Sequence, residues 1–214
     1  MEIHNSQRDD RRVMSGQLTL ALAGTIRHDG NGGVTDDLAD APGLARWLRQ
    51  QAEPLRRYDD DLAPPAGLPD EQARLDVVAL RRAVRTLLAR AVAPAPPSRA
   101  DHSSLLTPAE AVRHLNDAAG RLPTSPRLRW PDDAAPTLTR HSAPAELRIR
   151  LTAALARAAV DLLASPERER LRACPAPRCV RYFLQEHARQ QWCKPSCGNR
   201  ARVARHYQRH QAER

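Results

Sequence analysis

Four cysteines lie in the last fifth of a 214-residue chain, as Cys174-Pro-Ala-Pro-Arg-Cys179 and Cys193-Lys-Pro-Ser-Cys197, with thirteen residues between the pairs. Two close thiol pairs at this separation have the spacing of a tetrahedral thiolate site for zinc, each pair wrapping one edge of the ion. Four thiolates complete the coordination sphere and leave no position for water, so the metal expected here is structural rather than catalytic, one Zn2+ per chain. Pro175, Pro177 and Pro195 stiffen the two knuckles. The same residues admit two disulfides, a thiol switch that ejects the metal, or an iron–sulfur cluster. A chain with cysteines nowhere else and no secretory start argues against disulfides, whereas basic surroundings favour thiolates and keep the redox switch open.

The charge around these cysteines is one-sided. Residues 168–214 hold twelve bases and three acids, a net +9, and the preceding 167 residues hold 22 of each, so the tail carries the whole excess of 34 Lys+Arg over 25 Asp+Glu. Lys194 is the single lysine; a GC-rich coding bias explains arginine over lysine everywhere but not the scarcity of acids in one segment. The tail also has four of the seven aromatics, Tyr182, Phe183, Trp192 and Tyr207. Three segments follow from this: a flexible stretch 1–14, a first module over 15–167 and a basic four-cysteine module over 168–214. The charge split predicts that residues 15–165 fold alone and bind duplex DNA weakly. The tail has too few large apolar side chains to fold without metal, and Tyr182, Phe183 and Trp192 are expected to form its small core. No apolar run approaches a membrane span, and the charged start to Arg12 is no secretory signal, which leaves a soluble cytoplasmic protein.

The elements that must carry these residues are mainly helical. Gln17–Thr25, with Leu18, Leu20 and Leu22 alternating, reads as a strand. Asp29-Gly30-Asn31-Gly32-Gly33 is a turn, and Asp36–Gln51 holds a short helix after Pro42. Asp59–Pro69 reads as a loop. Asp70 caps a long helix over Glu71–Val92, whose apolar stripe leaves Arg81, Arg82 and Arg85 mostly outside it. Thr107-Pro108-Ala109-Glu110 is a capping box for a helix to about Gly120. Leu128-Arg129-Trp130 and Thr137-Leu138-Thr139 flank a turn and suggest a hairpin, and Pro144–Ala164 is a second strongly periodic helix. The fold class is therefore α+β: a mainly helical N-terminal domain with a small antiparallel sheet, then a small four-cysteine module ending in a helix.

In that last helix, Asn199–Gln211, Gly198 supplies a tight turn before the start. At about 100° per residue, Val203 and Tyr207 share a face that should pack on the knuckles, with Arg200 beside them. Arg202, Arg205 and Arg209 fall opposite, on a face without an acid before Glu213. Arg200 is thus expected to support the metal module, bonding a carbonyl or a cysteine sulfur, together with Gly198, Asn199 and Trp192.

Cys197-Gly198-Asn199-Arg200, with Trp192-Cys193 before it, resembles the CGNR zinc-finger family. Leu20–Thr25, Asp37-Leu38, Leu44–Leu48, Leu80–Arg85 and Ala156–Leu163 resemble the ABATE domain that is paired with this finger. The resemblance spans about residues 15–210 and implies a stress-related transcriptional regulator whose finger binds DNA. The chain departs from the family in three places. Ala21 and Gly24 stand where an LDxxNT-like pattern has Asp and Asn, which bears on any ligand pocket those groups serve. Leu184-Gln185-Glu186-His187 follows Phe183, and Gln190-Gln191 replaces an Arg-Arg pair, which shifts weight for DNA contact onto Arg202, Arg205 and Arg209.

Three function classes compete. A zinc-dependent DNA-binding transcriptional regulator uses the tail for phosphate attraction through Arg202, Arg205, Arg209, Lys194, Arg178 and Arg181, while the first module senses a small-molecule signal or assembles the protein. A zinc-stabilised, redox-sensitive protein–protein adaptor meets an acidic partner in the transcription machinery. An enzyme is the third class; the sequence has no glycine-rich phosphate loop, HExxH or GxSxG, and no enzymatic activity is expected. The scattered His28, His102, His114 and His141 read as surface residues.

Overall fold

The computed structural model describes residues 16–60, 62, 68–101 and 105–212. The expected flexible stretch 1–14, His102 and most of the loop before Leu68 lie outside the described residues.

Residues 16–23 form a helix, α1, rather than a strand. Leu18, Leu20 and Leu22 satisfy a two-residue period, but the buried set is Leu18, Thr19, Leu22 and Ala23, which follows the helical one. Leucine and alanine also favour helix over strand. A tight hairpin follows, β1 (Ile26–His28) and β2 (Val34–Asp36), with Ile26 opposite Asp36. Its turn is held by Asp29 Oδ1, which accepts from Asn31 N at 2.8 Å and Gly33 N at 3.0 Å. Gly30 and Gly32 take φ of 95° and 108°, a region that glycine enters without steric cost.

Helix α2 (Ala41–Gln50) starts where Asp40 Oδ1 accepts from Gly43 N, and the short α3 (Ala52–Arg56) follows after Gln51. Helix α4 (Glu71–Val92) begins at the Asp70 cap, and α5 (Pro108–Gly120) at a full capping box in which Thr107 and Glu110 satisfy each other's backbone N–H. The hairpin β3 (Thr124–Arg129) and β4 (Thr137–Ser142) leads to α6 (Leu147–Leu163). Helices α4, α5 and α6 pack on one another, and α1, α2 and α3 close the core, which includes Leu18, Leu44, Leu80, Leu88, Leu151 and Leu155. Burying each such leucine contributes roughly 1.5–3 kcal/mol. The strands do not merge into one sheet: β1–β2, β3–β4 and a third pair, β5 (Leu171–Ala173) with β6 (Tyr182–Leu184), are separate two-stranded antiparallel units. Helix α7 (Pro195–Ala212) ends the described chain.

Two arginines of α4 are not on a solvated face. Arg81 and Arg85 are 4% and 2% exposed. Arg81 grips both carboxylate oxygens of Asp36 and the Thr25 hydroxyl, which ties β2 to the helix. Arg85 grips both oxygens of Asp101, at 2.7 and 3.0 Å, and donates to the Ala23 carbonyl. Buried guanidinium groups are tolerable when paired in this way, so they sit within the apolar stripe instead of beside it.

Nor is the junction at residue 167 a clean division. Leu171 and Tyr182 belong to the same buried cluster as Leu80 and Leu162. The expectation that residues 15–165 fold alone meets a core that the tail helps to complete.

Candidate metal centre

The β5–β6 hairpin presents the first cysteine pair. Cys174 follows β5, with its N–H bonded to the Arg181 carbonyl, and Cys179 N donates to the Ala176 carbonyl, closing a knuckle. Arg178 takes φ of 64° at its tip. The segment after β6 is organised by glutamines: Gln185 Nε2 donates to the carbonyls of Ala188 and Gln190, and Glu186 N donates to Gln190 Oε1. Gln190 therefore shapes this loop. Cys193 precedes α7, and Cys197 sits in its first turn, because the helix begins at Pro195 and not at Asn199.

The four sulfur atoms all lie within 4.8 Å of one another. Cys179–Cys193, Cys193–Cys197 and Cys179–Cys197 are 3.7, 3.5 and 3.8 Å apart. A tetrahedron with zinc–sulfur bonds of about 2.3 Å has sulfur–sulfur edges of about 3.8 Å, whereas a disulfide needs about 2.05 Å. The spacing is that of ligands around one ion, and all four cysteines are free. Hydrogen bonding among the sulfurs lowers the Cys174 thiol pKa and raises those of Cys179 and Cys193. Four crowded thiols cannot all ionise by themselves; a doubly charged cation is what relieves them. The metal site packs with Ala176 and Phe183, and Trp192 half-covers it.

Of the three aromatics expected in this core, Tyr182 is elsewhere. Successive strand residues point to opposite faces, so Phe183 faces the cysteines and Tyr182 enters the main core. Its hydroxyl donates to Asp101 Oδ2 at 2.6 Å and accepts from Ser98 N at 3.2 Å. Burial pushes its phenol pKa upward, with Asp101 adding to the shift. Arg85 lies over the same ring, 5.4 Å from its centre, and its Nη2 donates to the Val180 carbonyl, as does Ser98 Oγ.

Arg200 bridges the metal centre to the first hairpin. Its Nη2 donates to Cys197 Sγ at 3.1 Å and its Nη1 to His28 Nε2 at 2.6 Å. Arg178 joins the same interface, donating to the Gly30 carbonyl at 2.8 Å. Gly198 is helical and buried, and makes no turn; a Cβ there would stand 2.9 Å from Trp192 Cδ1. Asn199 accepts from Arg202 Nη2.

The outer face of α7 also differs from expectation. Val203 and Tyr207 are 55% and 65% exposed, while Cys197, Gly198 and Ala201 are buried. The helix packs through the 197–201 face, and its later turns stand clear of the body, so Val203 and Tyr207 have nothing to cover. Arg202, Arg205 and Arg209 are exposed along one side of the helix, and Lys194 and Arg181, outside it, are exposed too.

A family model described as "Putative stress-induced transcription regulator", the ABATE domain, matches residues 16–166, and the CGNR zinc finger matches residues 170–210. The chain belongs to the ABATE family. Its CGNR finger carries the four sulfurs of the metal centre, and the Gly198-Asn199-Arg200 portion of that signature does three separate jobs: close approach to Trp192, an acceptor for Arg202, and a bridge between sulfur and His28. No curated protein matches the chain. Sequence reasoning missed Arg85, Ser98, Asp101 and His28, the groups by which the ABATE segment holds the finger. Among the described residues no helix is long and apolar enough to cross a membrane.

Proposed function

We propose that this protein is a zinc-dependent transcriptional regulator that binds duplex DNA through the finger and α7, with the ABATE segment as the platform that positions them in the cytoplasm. The observation that carries this reading is the exposed side of α7: Arg202, Arg205 and Arg209 line it, and no acid occurs between Glu186 and Glu213. A protruding cationic helix supplies the counterion-release attraction that dominates affinity for DNA. Lys194 and Arg181 extend the same charge. Arg178 contributes less, since its guanidinium is engaged by Gly30. The zinc would be bound by Cys174, Cys179, Cys193 and Cys197 and would fix the angle at which α7 leaves the finger. The reading assigns no reaction to the chain.

A second reading, a protein–protein adaptor, is favoured by the exposed Val203 and Tyr207 beside the arginines, which an acidic, partly apolar partner would cover. A salt titration of the zinc-loaded full chain against duplex DNA separates the two. A regulator should lose affinity linearly in log salt with a slope of about −0.9 for each phosphate neutralised; binding absent at low salt sinks the DNA reading and leaves the adaptor.

A further inference from the structure

The hairpin of β3 and β4 stands off the helical core. Its register sets Leu128 opposite Leu138, Pro126 opposite Arg140 and Arg127 opposite Thr139. Successive strand residues point to opposite faces, so one face carries Pro126, Leu128, Leu138 and Arg140, and Trp130, directly after β3, continues it. The other face is polar and its hydroxyls are satisfied: Thr137 and Thr139 Oγ1 donate to the carbonyls of Arg129 and Arg127. Such alternation belongs to a sheet with one side packed on apolar groups. Here that side is bare. Leu128, Trp130 and Leu138 are 66%, 68% and 44% exposed, and none of them joins a core cluster. Ser142, at the base, is the buried anchor, donating to Asp59 Oδ2 at 3.0 Å. A two-stranded hairpin alone is marginal in water and gains stability when its apolar face is covered.

The chemistry of the face selects its occupant. We propose that it docks on the same face of a second copy of this chain, the two hairpins lying face to face and running in opposite directions about a two-fold axis at the level of Leu128 and Leu138. A face that pairs with itself must be its own complement under that axis, and this one is. The leucines meet the leucines at the centre. Trp130, two positions toward the tip, meets Pro126 of the second copy, two positions toward the base, and the neighbouring Arg140 is within reach of the indole for a cation–π contact. The tip carries two acids, Asp132 and Asp133, and the base end carries Arg140, so the reversal brings opposite charges together. A nucleic-acid duplex fits less well, since its phosphates would meet the acids at the tip. Addition of a strand at the β3 edge is opposed by Pro126, which has no N–H to donate. The hairpin precedes α6 and the finger follows it, and a helix of 17 residues spans about 25 Å, so docking leaves both fingers clear of the interface.

The test is sedimentation velocity of the zinc-loaded full chain, without DNA, over a concentration series. A face this small predicts a reversible dimer with a Kd of about 1–100 µM. Leu128→Lys and Leu138→Lys should each weaken it at least about tenfold, and so should Trp130→Ala, since buried tryptophans dominate interfaces. All three side chains are exposed in the single chain, so zinc retention and thermal unfolding of the monomer should not change. Tyr207→Ser, at an exposed position of α7, should leave the dimer intact. Arg140→Asp should weaken it, as should Asp132→Arg with Asp133→Arg, and the three changes together should recover most of the loss. A chain that stays monomeric well above that concentration range, or a dimer indifferent to Leu128→Lys, overturns the proposal. A dimer that needs Leu128 but is not restored by the triple change overturns the antiparallel arrangement. DNA enters no readout, so these outcomes are independent of the regulator reading.

Discussion

Tyr182 donates its hydroxyl to Asp101 Oδ2 at 2.6 Å, and through that contact the strand whose next residue faces the metal is fastened to the helical core. Asp101 is at once held by Arg85, both side chains being 3% exposed or less. Removing one partner of a buried pair leaves the other charge without compensation, which costs about 3–5 kcal/mol. Arg85→Met should therefore lower the unfolding free energy of the zinc-loaded protein by about that amount in a urea titration. Tyr182→Phe, which removes one hydrogen bond to a charged acceptor, should cost about 1–3 kcal/mol. An Arg85→Met loss below about 1 kcal/mol, the range of exposed ion pairs, would show that the pair does not fasten the finger.

The Arg200–His28 contact makes the docking of the first hairpin depend on pH. Arginine has no acceptor, so His28 Nε2 must accept and the ring's single proton sits on Nδ1. Burial, then the Arg200 charge, lowers the His28 pKa below its usual 6.5. A base whose folded pKa is lowered contributes stability that is present above the unfolded value and is lost as pH falls through the folded one. Acidification from pH 7 should loosen the hairpin from the finger, and an NMR titration should give His28 a midpoint below 6.5. A midpoint above 6.5 would mean that Arg200 does not face the ring in solution.

Some of this was legible in the residues and some was not, for identifiable reasons. Helices α4 and α5 start where Asp70 and Thr107-Pro108-Ala109-Glu110 place them, because caps are local chemistry. The four cysteines were legible because a metal demands spacing. Leu18, Leu20 and Leu22 were ambiguous, since three leucines at alternate positions fit both periods over so short a run. Arg85 was not legible: its residue type argues for solvent, and its partners Asp101 and Val180 lie 16 and 95 positions away. The earlier start of α7 did have a signal, Pro195, the residue that favours the first helical position.

Gly198 is required by Trp192. Glycine to alanine inside a helix ordinarily stabilises by roughly 0.5–1 kcal/mol. Here the added Cβ meets Trp192 Cδ1 at 2.9 Å and Nε1 at 3.3 Å, and the ring, half-buried against the cysteines, must move. Gly198→Ala should destabilise the zinc-loaded protein in thermal unfolding. In a Trp192→Ala background the same change should become neutral or stabilising. A destabilisation that persists without the indole would place the cause in the helix backbone.

The arginines of α7 divide into one that serves the metal and three that face solvent. Arg200 is tied on two sides, to Cys197 Sγ and His28 Nε2, so its guanidinium is held against the finger. A donor to a ligating sulfur acts on metal affinity, where loss of such a partner typically costs 10–100-fold. Arg200→Ala should therefore raise zinc loss to a chelator by about that range. Arg200→Lys should recover little, because a single ammonium cannot reproduce a planar fork that bridges two partners. Arg202, Arg205 and Arg209 are exposed, and each Ala replacement should leave zinc retention unchanged while reducing the salt slope of DNA binding by about 0.9. The effect should be the same on unrelated duplexes, since phosphate contacts carry no sequence information. A zinc-loaded, folded Arg200→Ala protein that loses DNA binding and its salt slope, while Arg205→Ala and Arg209→Ala bind as before, would put the DNA on the His28 side of α7 and reverse this assignment.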